Sequence, residues 1–211
     1  MLFLCLAPLN AASAEDDLDA SFAILRKGSP IGYHVVDVER TEDGYVAHTR
    51  IEMRVKFGPI PLYRYRHEAR EEWAGGEIVS LDSVTNDNGQ RSWVKAKRRN
   101  GVLVIESPAY SGPAPEGAMT PSYWNRAIVD ASVLLNSQNG ELIDVDVAAL
   151  GKTRAPDNRL ADQYRMVGTL ALDLWYDGDR WVGSHFVIDG EALTYTPMRK
   201  GEGGFVLARL D

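Results

Sequence analysis

Two stretches of this sequence alternate strictly between apolar and charged residues, and that period of two limits the fold more than any other feature. Tyr45, Ala47, Thr49, Ile51, Met53, Val55 and Phe57 share one parity, against Val46, His48, Arg50, Glu52, Arg54 and Lys56. Leu62–Trp73 repeats the scheme, with Tyr63, Tyr65, His67, Ala69 and Trp73 opposed to Arg64, Arg66, Glu68, Arg70 and Glu72. Side chains of a strand point alternately to its two faces, so each run reads as a strand packed on one side and wet on the other. A short Gly-Pro turn separates the runs, which sets their charged faces side by side.

Turn signals recur every 8–14 residues through the first hundred positions, among them Gly28-Ser29-Pro30, Ala74-Gly75-Gly76, Asn88-Gly89 and Asn100-Gly101. Asn-Gly favours a type I′ hairpin, which needs positive φ at both central residues. Residues 107–121 interrupt the pattern with Pro108, Gly112, Pro113, Pro115, Gly117 and Pro121, an irregular crossing loop. Thr120 offers an N-cap and Pro121 a first helical position. Trp124, Ala127, Ile128, Ala131, Leu134 and Leu135 follow at helical spacing, which predicts one amphipathic helix near 121–137. Strand patterns return over 141–150, 159–167, 169–176, 182–188, 191–196 and 205–210. The expected fold is mostly β: a curved antiparallel sheet forming a barrel or half-barrel of about a dozen strands, since so many twisted strands curl or close.

The ends of the chain bear on location. Leu2–Ala7 is a short apolar stretch, and Ala12-Ser13-Ala14 precedes the acidic Glu15-Asp16-Asp17. This reads as a signal peptide over 1–14, cleaved near Ala14, leaving 15–211 as a single antiparallel β domain in the periplasm. No basic residue precedes the apolar stretch, and a buried N-terminal strand is the alternative. Cys5 is the only cysteine and would leave with the leader. The net charge of −7 argues against a nucleic-acid partner. No apolar run is long enough to span a bilayer.

The Gly28–Gly32 hairpin (Gly-Ser-Pro-Ile-Gly), the Val84–Gly89 hairpin, Ser122-Tyr123-Trp124-Asn125 and Leu174-Trp175-Tyr176-Asp177 together resemble a family of small exported proteins of Gram-negative bacteria, a domain of unknown function. A looser similarity, at the level of a curved β-sheet, extends to periplasmic lipoprotein carriers. The resemblance implies the fold and the compartment but no catalytic residue.

The sequence carries no nucleophile elbow, no His-Glu-x-x-His, no phosphate-cradling loop and no Rossmann fingerprint. Its four histidines, His34, His48, His67 and His185, fall on separate predicted strands, so no metal site, cofactor or catalytic set is expected. Tyr63, Tyr65 and His67 share one face and could orient a ligand in a cavity. Tyr123, Trp124 and Asn125, beside the Pro-rich loop, could sit at its mouth. Both groups also have a plain packing reading. Three functions follow: a non-catalytic binding module for an apolar or amphipathic, lipid-like ligand; an envelope scaffold or accessory protein partnered by another envelope protein; and, least supported, a hydrolase of envelope material.

Overall fold

Turn chemistry fixes the hairpins. At Lys27-Gly28, Asn88-Gly89 and Asn100-Gly101 the paired φ values are 52° and 78°, 50° and 98°, and 51° and 81°, the type I′ geometry whose twist matches that of the flanking strands. In a computed structural model, which describes residues 18–57, 60–188, 190–199 and 202, fourteen strands form one sheet. They are β1 (Ala20–Arg26), β2 (Ser29–Arg40), β3 (Gly44–Phe57), β4 (Ile60–Ala74), β5 (Glu77–Asp87), β6 (Gln90–Arg99), β7 (Val102–Glu106) and β8 (Ser111–Pro113), then β9 (Val133–Leu135), β10 (Leu142–Arg154), β11 (Leu160–Gly168), β12 (Leu172–Asp177), β13 (Arg180–Ile188) and β14 (Glu191–Pro197).

Every ladder is antiparallel, and all but one join strands consecutive in sequence. The exception pairs β1 with β14, Phe22 standing opposite Pro197. The strand order therefore runs from β8 down to β1, across to β14, and down to β9. Two meanders, of eight and six strands, meet at the β1–β14 seam. The sheet is curved and does not close. Its two edges, β8 and β9, are linked by the 114–132 stretch. Ala114 N–H donates to the Leu103 carbonyl at 2.7 Å, Met119 N–H to Val133 at 3.1 Å, and Leu135 N–H to Met119 at 2.7 Å. That stretch covers edge groups that would otherwise lack partners.

The alternation between 45 and 73 behaves as the pattern predicts. Arg50 stands opposite Glu68 and Glu52 opposite Arg66, with N···O separations of 3.8 and 3.9 Å. These pairs are largely exposed and contribute roughly 1 kcal/mol or less each.

The helix expected near 121–137 does not form. The chain there is irregular, with one 3-10 turn, Arg126–Asp130, that Asn125 caps by accepting the Ala127 N–H at 3.1 Å. Ala131 is already extended, at φ −73° and ψ 141°, and Val133–Leu135 pairs with β10. Ser, Asn, Asp, aromatic and β-branched residues make up most of 122–133 and favour helix weakly. Trp124, Ile128, Ala131, Leu134 and Leu135 are buried nonetheless, while Ala127 is exposed. The apolar stripe is the inside of a plug, not one face of a helix. The leader at 1–14 and the strand expected over 205–210 lie outside the described residues. Among the described residues no helix is long and apolar enough to cross a membrane.

The plug enters the concave side of the sheet at Thr120. Trp124 lies edge-on to Trp73 and Tyr45, with ring centroids 5.9 and 5.7 Å away. Tyr176 donates its hydroxyl to the Tyr123 carbonyl at 2.8 Å. After β9 the chain turns back across the interior, where the Ser83 hydroxyl donates to the Ser137 carbonyl at 2.6 Å. Gly140, at φ 87°, completes that turn against Ser107, whose Oγ would lie 2.0 Å from any added Cβ.

Candidate ligand-binding cavity

Strand register sets the inward side chains in rows. His34 on β2 stands opposite Ile51 on β3, Ile51 opposite His67 on β4, and His67 opposite Thr85 on β5. The next row holds Gly32, Met53, Tyr65 and Asp87. Glycine is needed at 32, because a Cβ there would fall 2.0 Å from the Glu52 carbonyl oxygen. These rows form one wall of a cavity of about 460 Å³, within the range of small-molecule sites. Phe186 of β13 with Leu193 and Tyr195 of β14 make the facing wall, and Pro121, Ser122 and Tyr123 of the plug supply the floor. Asp87, Gln138, Thr169, Ala171 and Val187 line it while exposed to solvent, and so mark its mouth.

The interior is polar for a core. His67 pairs through Nδ1 with the Thr85 hydroxyl at 2.9 Å and through Nε2 with that of Ser137 at 3.4 Å. Glu71 is 2% exposed and accepts from Trp73 Nε1 at 2.9 Å and Ser122 Oγ at 2.5 Å, with Thr120 Oγ1 2.8 Å from Ser122 Oγ. Two further buried atoms, Tyr65 Oη and His34 Nδ1, have no hydrogen-bond partner among the described residues. An unsatisfied buried group costs about 1–3 kcal/mol, which marks these two as the polar atoms a guest could satisfy.

Burial governs protonation here. It holds the His34 imidazole down to about 3, reinforced by nearby His67. It holds His67 to about 4, against the pull of the Glu68 carboxylate. Burial raises the Glu71 carboxyl, and the Ser122, Thr120 and Trp73 donors pull it back in part. Both imidazoles stay neutral in the fold at pH values where the unfolded chain takes up protons. Their contribution to stability is therefore full above pH ~6.5 and is lost as pH falls from there toward 4 and 3. Glu71 acts in the opposite sense, its contribution being complete below the ordinary carboxylate range and declining as pH rises. With two imidazoles against one partly compensated carboxyl, urea midpoints should fall on acidification from pH ~6.5 to 4.5. His34→Phe should flatten that fall. A midpoint that stays level or rises on acidification would contradict the buried neutral histidines.

Four of the six residues singled out from the sequence, Tyr63, Tyr65, His67 and Tyr123, line this one cavity. Trp124 and Asn125 do not. They border a separate hollow of about 260 Å³ with Leu18, Arg40 and Tyr45. Sequence reasoning passed over Glu71, His34 and Tyr195. Glu71 had a readable signal, its odd parity within the apolar face of β4. His34 and Tyr195 had none, because only strand register brings them to the cavity.

The family described as Domain of unknown function (DUF6134) matches residues 22–198, a span that takes in every wall of the cavity. The chain belongs to this family. No curated protein matches its sequence. In structure, this DUF6134 chain is similar to a beta-barrel-like protein of the domain of unknown function DUF1849 from Brucella abortus. The TM-score is 0.61 at 9% sequence identity, over 86% of this chain and 95% of that one. At that identity the likeness is one of fold. The DUF6134 match also takes in the 114–132 crossing segment, so plug and cavity fall within one family match.

Proposed function

We propose that this protein is an exported, non-catalytic binding module that holds an apolar or amphipathic, lipid-like molecule inside its curved sheet. The observation that carries the reading is the 460 Å³ cavity, walled by strands of both meanders and floored by the plug. Ile51, Met53, Phe186 and Leu193 offer an apolar lining, and the tyrosines and histidines offer polar contacts. His67 hydrogen-bonds the Thr85 and Ser137 hydroxyls, and Glu71 accepts from Ser122 and Trp73, so these polar groups tie the strand wall to the plug. Export rests on the Ala12–Ala14 cleavage pattern.

Native mass spectrometry of protein purified from its own periplasm should show a copurifying small molecule. The neutral dye N-phenylnaphthylamine should bind at micromolar levels, about −8 kcal/mol. Met53→Trp, which places bulk in the cavity wall, should weaken the dye at least tenfold with the β circular dichroism unchanged. A bare mass together with no dye binding would remove this reading. The accessory-protein alternative draws on the outer face, where Val84 and Trp93 stand opposite each other while 53% and 41% exposed. Such an apolar pair on a wet face suits a protein contact.

A further inference from the structure

The chemistry of the cavity wall narrows the class of guest. Among the described residues that line the cavity there is no lysine or arginine, whereas Glu71 and Asp87 are there. The arginines of β3 and β4, at 50, 54, 64, 66 and 70, all have the parity of the outer face. Neither histidine supplies a positive charge near neutral pH, each being desolvated. A carboxylate or phosphate drawn into this space would leave water without gaining a cation, and would pass the Asp87 carboxylate at the mouth. The wall is not inert, however. Tyr65 is 6% exposed and His34 is 3% exposed, and each carries a buried polar atom with no partner among the described residues. A phenol can donate or accept, and so can a neutral imidazole nitrogen according to its tautomer. Such a pair complements a hydroxyl or a carbonyl oxygen, and a site built to hydrogen-bond that group discriminates against a guest lacking it.

Resting on the binding-module reading above, we infer that the cavity selects an uncharged apolar guest bearing a hydroxyl or carbonyl group, which pairs with Tyr65 and His34, and rejects acyl anions and phosphate-headed lipids. Glu71, already satisfied by Trp73 and Ser122, takes no part in holding the guest. The cavity is then a neutral-lipid site with a polar anchor, not a fatty-acid site.

The test is displacement of bound N-phenylnaphthylamine at neutral pH by three guests of equal chain length: lauryl alcohol, laurate and dodecane. Lauryl alcohol should displace the dye at a concentration at least tenfold lower than either of the others. Tyr65→Phe should bring lauryl alcohol down to the level of dodecane while leaving dodecane unchanged, and His34→Phe should do the same in part. Circular dichroism and the dye itself report that each variant is folded. Laurate matching or beating lauryl alcohol overturns the selectivity, as does a preference that survives both substitutions. In either case dye binding by the wild type leaves the binding module standing. Failure of the dye and all three guests to bind removes the module itself, and the two failures are thereby told apart.

Discussion

Replacing Trp124 by alanine should destabilise the protein by about 3–5 kcal/mol, the range for truncating a buried aromatic. The side chain is 3% exposed, and its ring is the keystone of the plug, held edge-on between Trp73 of β4 and Tyr45 of β3. Removing it leaves a void where the plug meets the longest strands, and those strands cannot follow it inward without breaking their ladder. Arg64→Ala is the control. Its side chain is exposed on the outer face of β4, and its loss should change stability by roughly 0.5 kcal/mol or less. Urea denaturation of both variants decides the matter. Equal small effects would mean that the plug sits loosely in the sheet.

Glu71→Ala should be nearly as costly, for a different reason. The carboxyl group gathers the Trp73 indole N–H and the Ser122 hydroxyl, both on buried side chains. Its removal strands both donors, at about 1–3 kcal/mol each. Glu71→Gln keeps an oxygen for them and should lose much less. It should also abolish the decline in stability that Glu71 contributes as pH rises, since an amide does not titrate. Should alanine prove as stable as glutamine, the cluster does not tie the plug to β4, and the sheet alone holds the floor of the cavity.

The sheet was largely legible, because alternation and turn chemistry are local. The parity of 45–73 puts each charged residue on the side the structure gives it, and the positive φ values at Asn88-Gly89 and Asn100-Gly101 follow from the residues themselves. The plug misled because a segment buried on several sides has apolar residues at many spacings, and Trp124, Ile128, Ala131 and Leu135 happen to satisfy the helical one. Its weak helix formers were the countersign. For the cavity, Tyr63, Tyr65 and His67 could be grouped because they lie on one strand and one face. Glu71 lies on the same strand and the same face, but its acidic neighbours Glu68 and Glu72 disguise it as part of the wet parity. His34, Tyr195 and Phe186 could not be joined to them from sequence, since their placement depends on which strands meet, and the decisive meeting is between β1 and β14.

That meeting has a kinetic consequence. Arg26 reaches Glu191, 165 positions away, at 2.8 Å across the β1–β14 seam. The other ladders can zip from their own turns, on the timescale of hairpin formation, but the seam must wait until both meanders exist, because closing so large a loop is repaid only by contacts made afterwards. One wall of the cavity belongs to the first meander and the facing wall to the second, so the cavity is the last part of the fold to come into being. The start of β1 and the end of β14 lie beside each other once it does. A circular permutant joined across those ends and opened within 114–132 would turn the slowest ladder into one more hairpin, while leaving the chamber with the same fourteen strands around it.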